Sequence, residues 1–159
     1  AGARRASTAW LAMSTVISLH AGPGTTLPKP AISKAFLVAG MGVEGERHFG
    51  KQPDRAVLVA GRPAYDMAAR AGIELPPGAL GENIRVDFDP HQPGPGARLQ
   101  IGIVLLELTS VCTVCSTLSV FDLRLPKVLL GRRGLYARVL QGGVVQVGDA
   151  VEVLSPQTT

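Results

Sequence analysis

Glycine and proline interrupt this sequence so often that a fold built on long helices is excluded. The 159 residues include 19 Gly and 12 Pro, nearly a fifth of the chain. Glycine allows the backbone conformations that turns need, and proline breaks helices and the interior of sheets. Because 46% of the residues are hydrophobic, the chain can still bury a core of one domain's size. We therefore predict one domain of many short elements joined by turns.

The apolar runs between these residues predict mainly strands. Residues 84–88 alternate apolar and charged side chains, which is typical of a half-buried strand. Further strands are predicted at 15–20, 35–39, 56–60, 98–108, 136–140, 144–147 and 150–154. The turns Gly142-Gly143 and Gly148-Asp149 favour hairpins between the last three. No alternation of strand, helix and strand is visible, so we expect a barrel or sandwich.

One to three short helices accompany these strands. Residues 63–71 begin with a proline, are rich in alanine and are followed by Gly72, all signals of a short helix. Residues 118–130 also carry apolar side chains at helical spacing, although Pro126 should break or kink that helix.

The two ends of the chain are expected to lie outside the fold. Arg4-Arg5 followed by an apolar stretch faintly resembles a secretion signal, but polar residues interrupt the stretch and no cleavage site precedes Pro23. We expect Met13 to be the true start, residues 1–12 to be a non-native or disordered extension, residues 13–155 to form the single domain, and 156–159 to be a tail.

The composition also bears on compartment and partners. No apolar stretch approaches the ~18 residues that span a bilayer, so we expect no membrane contact. Two cysteines do not make a disulfide framework, and their close spacing indicates reduced thiols in the cytoplasm. The net charge is +4, and 12 of the 16 basic residues are Arg, which suits a small anionic ligand. With seven aromatic residues and no run of like charges, nucleic-acid binding is not expected.

A glycine pattern near residue 40 imitates a dinucleotide-binding site. Gly40-x-Gly42-x-x-Gly45 matches the fingerprint, but that site needs a helix directly after the glycines. Residues 46–53 are poor helix formers and end in proline. We therefore expect a tight loop that presents Arg47 and His48.

Cys112-x-x-Cys115 leaves several uses open. A zinc site needs four ligands, and no second cysteine pair exists. A redox dithiol needs an α/β context that the sequence does not show. A single reactive thiolate can hold sulfur as a persulfide or bind a soft metal. The remaining interpretation is two small buried apolar residues.

Two further segments can bind an anion. The glycines of Gly78-Ala79-Leu80-Gly81-Glu82-Asn83 allow a tight turn whose backbone N–H groups form an anion-binding nest. The paired arginines of Gly131-Arg132-Arg133-Gly134 can clamp a phosphate, although a solvated turn is an equally good interpretation.

Taken in order, these segments resemble the MOSC domain, found in molybdenum-cofactor sulfurases and in small free-standing bacterial proteins. The matching stretches are 42–48, 77–84, 99–102, 107–115, 131–140 and 142–149, within a resemblance that covers about residues 15–154. The family fold is a mostly antiparallel β-barrel, which agrees with the predicted short strands. The family places proline and arginine shortly before its hallmark cysteine, where this chain has Val114 and Cys112.

The resemblance implies that Cys115 is the catalytic or metal-binding residue, acting as a persulfide carrier or as a molybdenum ligand. It implies a molybdenum cofactor (molybdopterin) and no pyridoxal phosphate, because the latter belongs to a separate domain of the sulfurases. The implied partners are a cysteine desulfurase or an electron-donor protein. The implied cofactor-binding residues are Arg47, His48, Gly81, Glu82, Asn83, Cys112, Arg132 and Arg133.

The resemblance leaves the reaction open. Some relatives are molybdenum-dependent reductases of N-hydroxylated compounds, and that activity is one alternative to a sulfur carrier. A non-catalytic β-barrel that binds a phosphorylated metabolite is another.

Overall fold

A computed structural model describes residues 14–154 of the chain. The predicted extension at 1–12 and the tail at 156–159 lie outside the described residues, so the predicted domain boundaries stay predictions. Within the described part the fold is mainly β, as predicted, with two α-helices and eleven strands. The strands are β1 (Val16–His20), β2 (Ala31–Ile32), β3 (Lys34–Val38), β4 (Gly42–Val43), β5 (Val57–Gly61), β6 (Ile84–Val86), β7 (Arg98–Ile101), β8 (Val104–Val111), β9 (Leu135–Gln141), β10 (Gly143–Gln146) and β11 (Glu152–Leu154). The helices are α1 (Arg62–Arg70) and α2 (Leu125–Val128), with 3-10 turns at Pro53–Arg55 and Ser116–Val120.

The strands pair into two sheets. Eight follow the order β11-β7-β8-β9-β5-β6-β1-β2, and three follow the order β10-β3-β4. All pairs are antiparallel except β5 and β6. Among the described strands, β11 and β2 end the larger sheet without pairing with each other. The strand pairing therefore does not confirm a closed barrel.

The main core lies between these sheets. In β8, Val104, Leu106 and Leu108 are buried and alternate with less buried neighbours, the period of two expected of a strand with one apolar face. Its partner β9 follows the same pattern. The two strands share the longest antiparallel ladder of the fold, from Leu105 opposite Gln141 to Val111 opposite Leu135. This ladder fixes where the residues after β8 and before β9 lie.

A second apolar cluster packs on the other side of β5. Its members come from Ala60 of β5, α1, α2, the loop at 73–80, and Cys115 with the 3-10 turn that follows it. All five residues of β5 are buried, because the main core covers one face of the strand and this cluster covers the other. We call it the helical cluster below.

Two predictions of connectivity are wrong. The turns at Gly142-Gly143 and Gly148-Asp149 do not form hairpins, because β10 pairs with β3 while β9 and β11 belong to the larger sheet. Gly142 lets the chain pass between the sheets: a Cβ there would lie 2.5 Å from the carbonyl oxygen of Leu37. The prediction that strand, helix and strand do not alternate is also wrong, because β5, α1 and the parallel β6 form one such unit. Thirteen residues separate α1 from β6, so no short-range sequence pattern marks the helix and the strand as one unit.

The predicted helix over 118–130 is two shorter elements, the 3-10 turn at 116–120 and α2. No helix within residues 14–154 has the length and apolar character needed to cross a membrane.

Candidate functional site

A cavity of about 270 Å³ opens where the loops after β1, β4, β8 and α2 meet. Four lining side chains are basic: Lys29, Arg47, Arg55 and Arg133. None of its lining residues is acidic. The remaining lining residues are Gly24, Thr25, Thr26, Leu27, His48, Leu58, Gly81, Asn83, Cys112, Val114, Thr117 and Tyr136. The cavity is therefore strongly cationic and suits an anionic ligand.

Arg133 is the most buried arginine of the cavity, with 7% of the residue exposed. Its Nε donates to the carbonyl oxygen of Leu80 at 2.8 Å. Its Nη1 donates to the carbonyl oxygen of Val114 and to the hydroxyl of Thr117. Nη2 takes part in none of these bonds and lies 3.1 Å from the position that a Cβ on Gly81 would occupy. The guanidinium is thus held by neutral oxygens beside the Gly81 loop.

Lys29 differs from Arg133, because a carboxylate compensates its charge. Its Nζ lies 3.0 Å from Oε2 of Glu46, and both residues are buried. The same oxygen lies 2.5 Å from Nδ1 of His48, whose side chain is 42% exposed. Burial alone would raise the pKa of Glu46, but the bonds from His48 and Lys29 lower it to about 2. Burial lowers the pKa of Lys29, an effect that Glu46 opposes. This network anchors the base of the loop that carries Arg47.

Asn83 supports the cavity wall through the backbone. Its Oδ1 accepts from the backbone N–H of Leu58, and its Nδ2 donates to the carbonyl oxygen of His20. Both bonds are buried, so the amide fixes the start of β6 against β5 and β1. Gly81, two residues earlier, has a φ of +77°, a conformation that favours glycine. These two residues shape the cavity floor.

Cys112 and Tyr136 form a further wall. The thiol of Cys112 donates to the hydroxyl oxygen of Tyr136 at 3.4 Å. The guanidinium carbon of Arg55 lies 5.4 Å from the centre of the Tyr136 ring, which is cation–π distance. Burial, followed by the interaction with the neighbouring Cys112 sulfur, raises the pKa of Tyr136 to about 12. The Tyr136 hydroxyl is therefore neutral at physiological pH.

The structure brings together six of the nine residues predicted for the site: Arg47, His48, Gly81, Asn83, Cys112 and Arg133. As expected, no helix follows the glycines at 40–45, and the loop after them presents Arg47 and His48 to the cavity.

Three predicted residues lie elsewhere. Cys115 belongs to the helical cluster, and its Sγ lies 4.0 Å from the carbonyl oxygen of Leu129. Glu82 is fully buried, and its Oε2 accepts from the hydroxyl of Tyr65 at 2.5 Å. Arg132 is an exposed side chain whose Nη1 lies 3.9 Å from Asp89. None of the three lines the cavity.

Residue exposure does not separate the two cysteines. Cys112 is 2% exposed and Cys115 is 7% exposed. What separates them is the side to which each belongs: Cys112 lines the cavity, whereas Cys115 packs among the aliphatic side chains of the helical cluster. A small ligand inside the cavity therefore meets Cys112.

Sequence reasoning missed Lys29, Arg55 and Tyr136 as site residues. Lys29 stands between two prolines, and its partner Glu46 is 17 residues away, so no local pattern marks the pair. Tyr136 lies three residues after Arg133, in the segment predicted to bind a phosphate, but only the arginines of that segment were predicted to be functional.

The described residues contain no group of three or more His, Cys, Asp and Glu side chains able to hold a metal ion. A metal at this cavity would therefore need a ligand molecule that supplies most of its coordination, with the protein adding one soft sulfur. The cationic lining and the single thiol fit a phosphate-bearing cofactor of that kind.

Comparisons with known proteins agree with this architecture. The chain is similar to the crystal structure of the YuaD protein from Bacillus subtilis, with a TM-score of 0.78 and 19% identity over 91% of this chain and 97% of that one. It is also similar to YiiM from Geobacillus stearothermophilus, with a TM-score of 0.71 and 21% identity over 88% and 74% of the two chains. YiiM from Escherichia coli gives a TM-score of 0.71 and 22% identity over 92% and 72%. At these identities the likeness shows the fold alone.

No curated protein matches the sequence at a significant level. The family comparison is decisive, because residues 44–152 match the MOSC domain, and this range includes most of the cavity residues. The chain belongs to the MOSC domain family, which is associated with the molybdenum cofactor.

Proposed function

We propose that this protein binds a small phosphate-bearing ligand of the molybdenum-cofactor class in the cavity, with the thiol of Cys112 as its soft ligand. The observation that carries the proposal is that Cys112 lines the same cavity as Arg133 and Arg55, a cavity with no acidic lining residue. A sulfur donor and several cations in one pocket match the two ends of such a ligand, its metal and its phosphate.

Arg133 supports the anionic part of the proposal. A buried charge is costly unless it is paired, and Arg133 forms no salt bridge within the described residues. Its three hydrogen bonds fix the guanidinium plane but leave its charge uncompensated. A phosphate beside Nη2 would supply the missing charge and accept further bonds.

The molybdenum cofactor would be held by this chain's residues in distinct ways. Cys112 would give the metal a thiolate, while Arg133 and Arg47 would bind the phosphate. The amide of Asn83 would hold the backbone that lines the cavity in place. When bound, the cofactor would supply two-electron redox chemistry, such as the reduction of N-hydroxylated compounds suggested by the family resemblance. Tyr136, neutral and bonded to the thiol, would orient the sulfur.

The low exposure of both thiols favours cofactor binding over protein-to-protein sulfur transfer. A persulfide carrier must expose its sulfur to the persulfide of a cysteine desulfurase, and neither Cys112 nor Cys115 is more than 7% exposed. The catalytic role of Cys115 that the family resemblance implies stays a prediction, and its position in the helical cluster supports Cys112 instead.

The experiment is metal analysis of the full chain from a molybdenum-replete host, beside the matched variants Cys112→Ser and Cys115→Ser. We expect stoichiometric molybdenum in the wild type and in Cys115→Ser, and loss of molybdenum in Cys112→Ser. Thermal melting of each variant separates lost binding from lost folding.

Other results would select the alternatives. Loss of molybdenum only in Cys115→Ser would overturn the assignment to Cys112. A metal-free chain with one added sulfur in its intact mass would indicate a carrier. Phosphate binding that Arg133→Ala abolishes and Cys112→Ser leaves intact, with neither metal nor added sulfur, would indicate a metabolite-binding module.

A further inference from the structure

A second cavity of about 280 Å³ adjoins the first. Five residues line it: His48, Lys51, Gln52, Arg55 and Tyr136. Three of them, His48, Arg55 and Tyr136, also line the first cavity. The two spaces are therefore neighbouring compartments with a common wall, which we call the inner and the outer compartment.

The outer compartment is also cationic. Lys51 and Arg55 form no salt bridge within residues 14–154, and no acidic residue lines the compartment. Asp54, the nearest carboxylate in sequence, instead accepts from Arg138. The two cations of the outer compartment are thus free to bind an anion.

The common wall determines how a ligand would cross. Arg55 lies over the ring of Tyr136, and the hydroxyl of that ring accepts from Cys112. Arg55 lines both compartments, so a ligand that occupies both of them contacts its guanidinium. One bridging cation between two anion sites is the arrangement that suits linked phosphates, because adjacent phosphates share counter-charges.

We propose that the two compartments form one bipartite site for a ligand that carries a diphosphate. The inner phosphate binds at Arg133, the outer phosphate binds at Lys51, and Arg55 contacts both. This inference rests on the proposed function, because it extends the same phosphate site. Its ligand class is a cofactor or metabolite with a phosphoanhydride link.

The test is calorimetric titration of the full chain with inorganic phosphate and with inorganic pyrophosphate at one ionic strength. We expect pyrophosphate to bind about tenfold more tightly than phosphate in the wild type, because it gains a second set of charge-assisted bonds. Lys51 lines only the outer compartment, so Lys51→Met should weaken pyrophosphate binding roughly fourfold and should weaken phosphate binding by a smaller factor. Lys127→Met is the matched control, since it removes an exposed lysine that lines neither compartment.

Each possible result supports or overturns the bipartite site. Equal affinities for the two anions in the wild type would overturn the bipartite site while leaving the proposed function intact. The same conclusion would follow if Lys51→Met and Lys127→Met weakened pyrophosphate binding equally, since the gain would then come from net charge alone. Failure of both anions to bind would overturn the proposed phosphate site and the bipartite site with it.

Discussion

The substitution Glu46→Gln should expose how much the buried charge network contributes to stability. Glu46 is 4% exposed and holds both Lys29 and His48 through one carboxylate oxygen. With a neutral amide in its place, Lys29 keeps a buried ammonium without a carboxylate. Removing one partner of a buried pair is far more costly than replacing both.

The magnitude follows from the pKa. A carboxyl whose pKa falls from 4.5 to about 2 on folding contributes about 3 kcal/mol to the free energy of unfolding at neutral pH. Because the folded-state pKa is the lower one, this stability is present above pH 4.5 and is lost as the pH falls toward 2. We expect Glu46→Gln to be about 3 kcal/mol less stable than the wild type at pH 7, with a difference that shrinks in acid.

Urea unfolding followed by circular dichroism at several pH values between 7 and 3 measures this difference. Glu44→Gln is the matched control, because Glu44 is an exposed glutamate two residues away. If Glu46→Gln does not fold, Lys29→Met/Glu46→Gln restores a neutral pair and should be more stable than the single variant. The reasoning is refuted if Glu46→Gln keeps the pH dependence of the wild type, or if the double variant is no more stable than Glu46→Gln.

Three further predictions concern the cavity. Arg133→Met should abolish the rise in melting temperature that phosphate gives the wild type, and an undiminished rise in a thermal-shift assay would contradict the phosphate site. Gly81→Ala and Gly72→Ala both place a side chain at positive φ, so each should lower the free energy of unfolding by about 1 kcal/mol. Only Gly81→Ala should weaken phosphate binding in calorimetry, because only its Cβ would contact Arg133. In spectrophotometric titration, Tyr136 should ionise near pH 12, and Cys112→Ala should lower that value; an unchanged midpoint would show that the thiol bond has no effect.

The sequence predicted individual strands better than their partners. The alternation in 84–88 and the proline and glycine around 63–71 are local signals, and β6 and α1 lie where those signals stand. The hairpin prediction at Gly142-Gly143 was wrong because a turn signal describes the bend and not the neighbour. β10 pairs with β3, which is about a hundred residues earlier in the chain.

The two adjacent arginines of the predicted phosphate clamp, Arg132 and Arg133, differ in burial, and no local sequence signal predicts that difference either. Arg132 is exposed toward Asp89, whereas Arg133 is buried beside Leu80 and Val114. Arg132 lies in a turn and Arg133 in a bend before β9, and at this change of chain direction only Arg133 faces the cavity. Sequence spacing does not say which arginine is buried, because that depends on the path of the backbone between α2 and β9.

The contrast between Lys29 and Arg133 is the strongest electrostatic argument for an anionic ligand. The same cavity holds two buried cations, and the fold compensates one of them with the carboxylate of Glu46. It surrounds the other with neutral oxygens that fix the guanidinium plane and leave Nη2 beside Gly81. A carboxylate beside a purely structural arginine would stabilise the fold. An arginine that binds a phosphate must instead stay unpaired until the ligand arrives. Its rigidity also lowers the conformational entropy lost on binding.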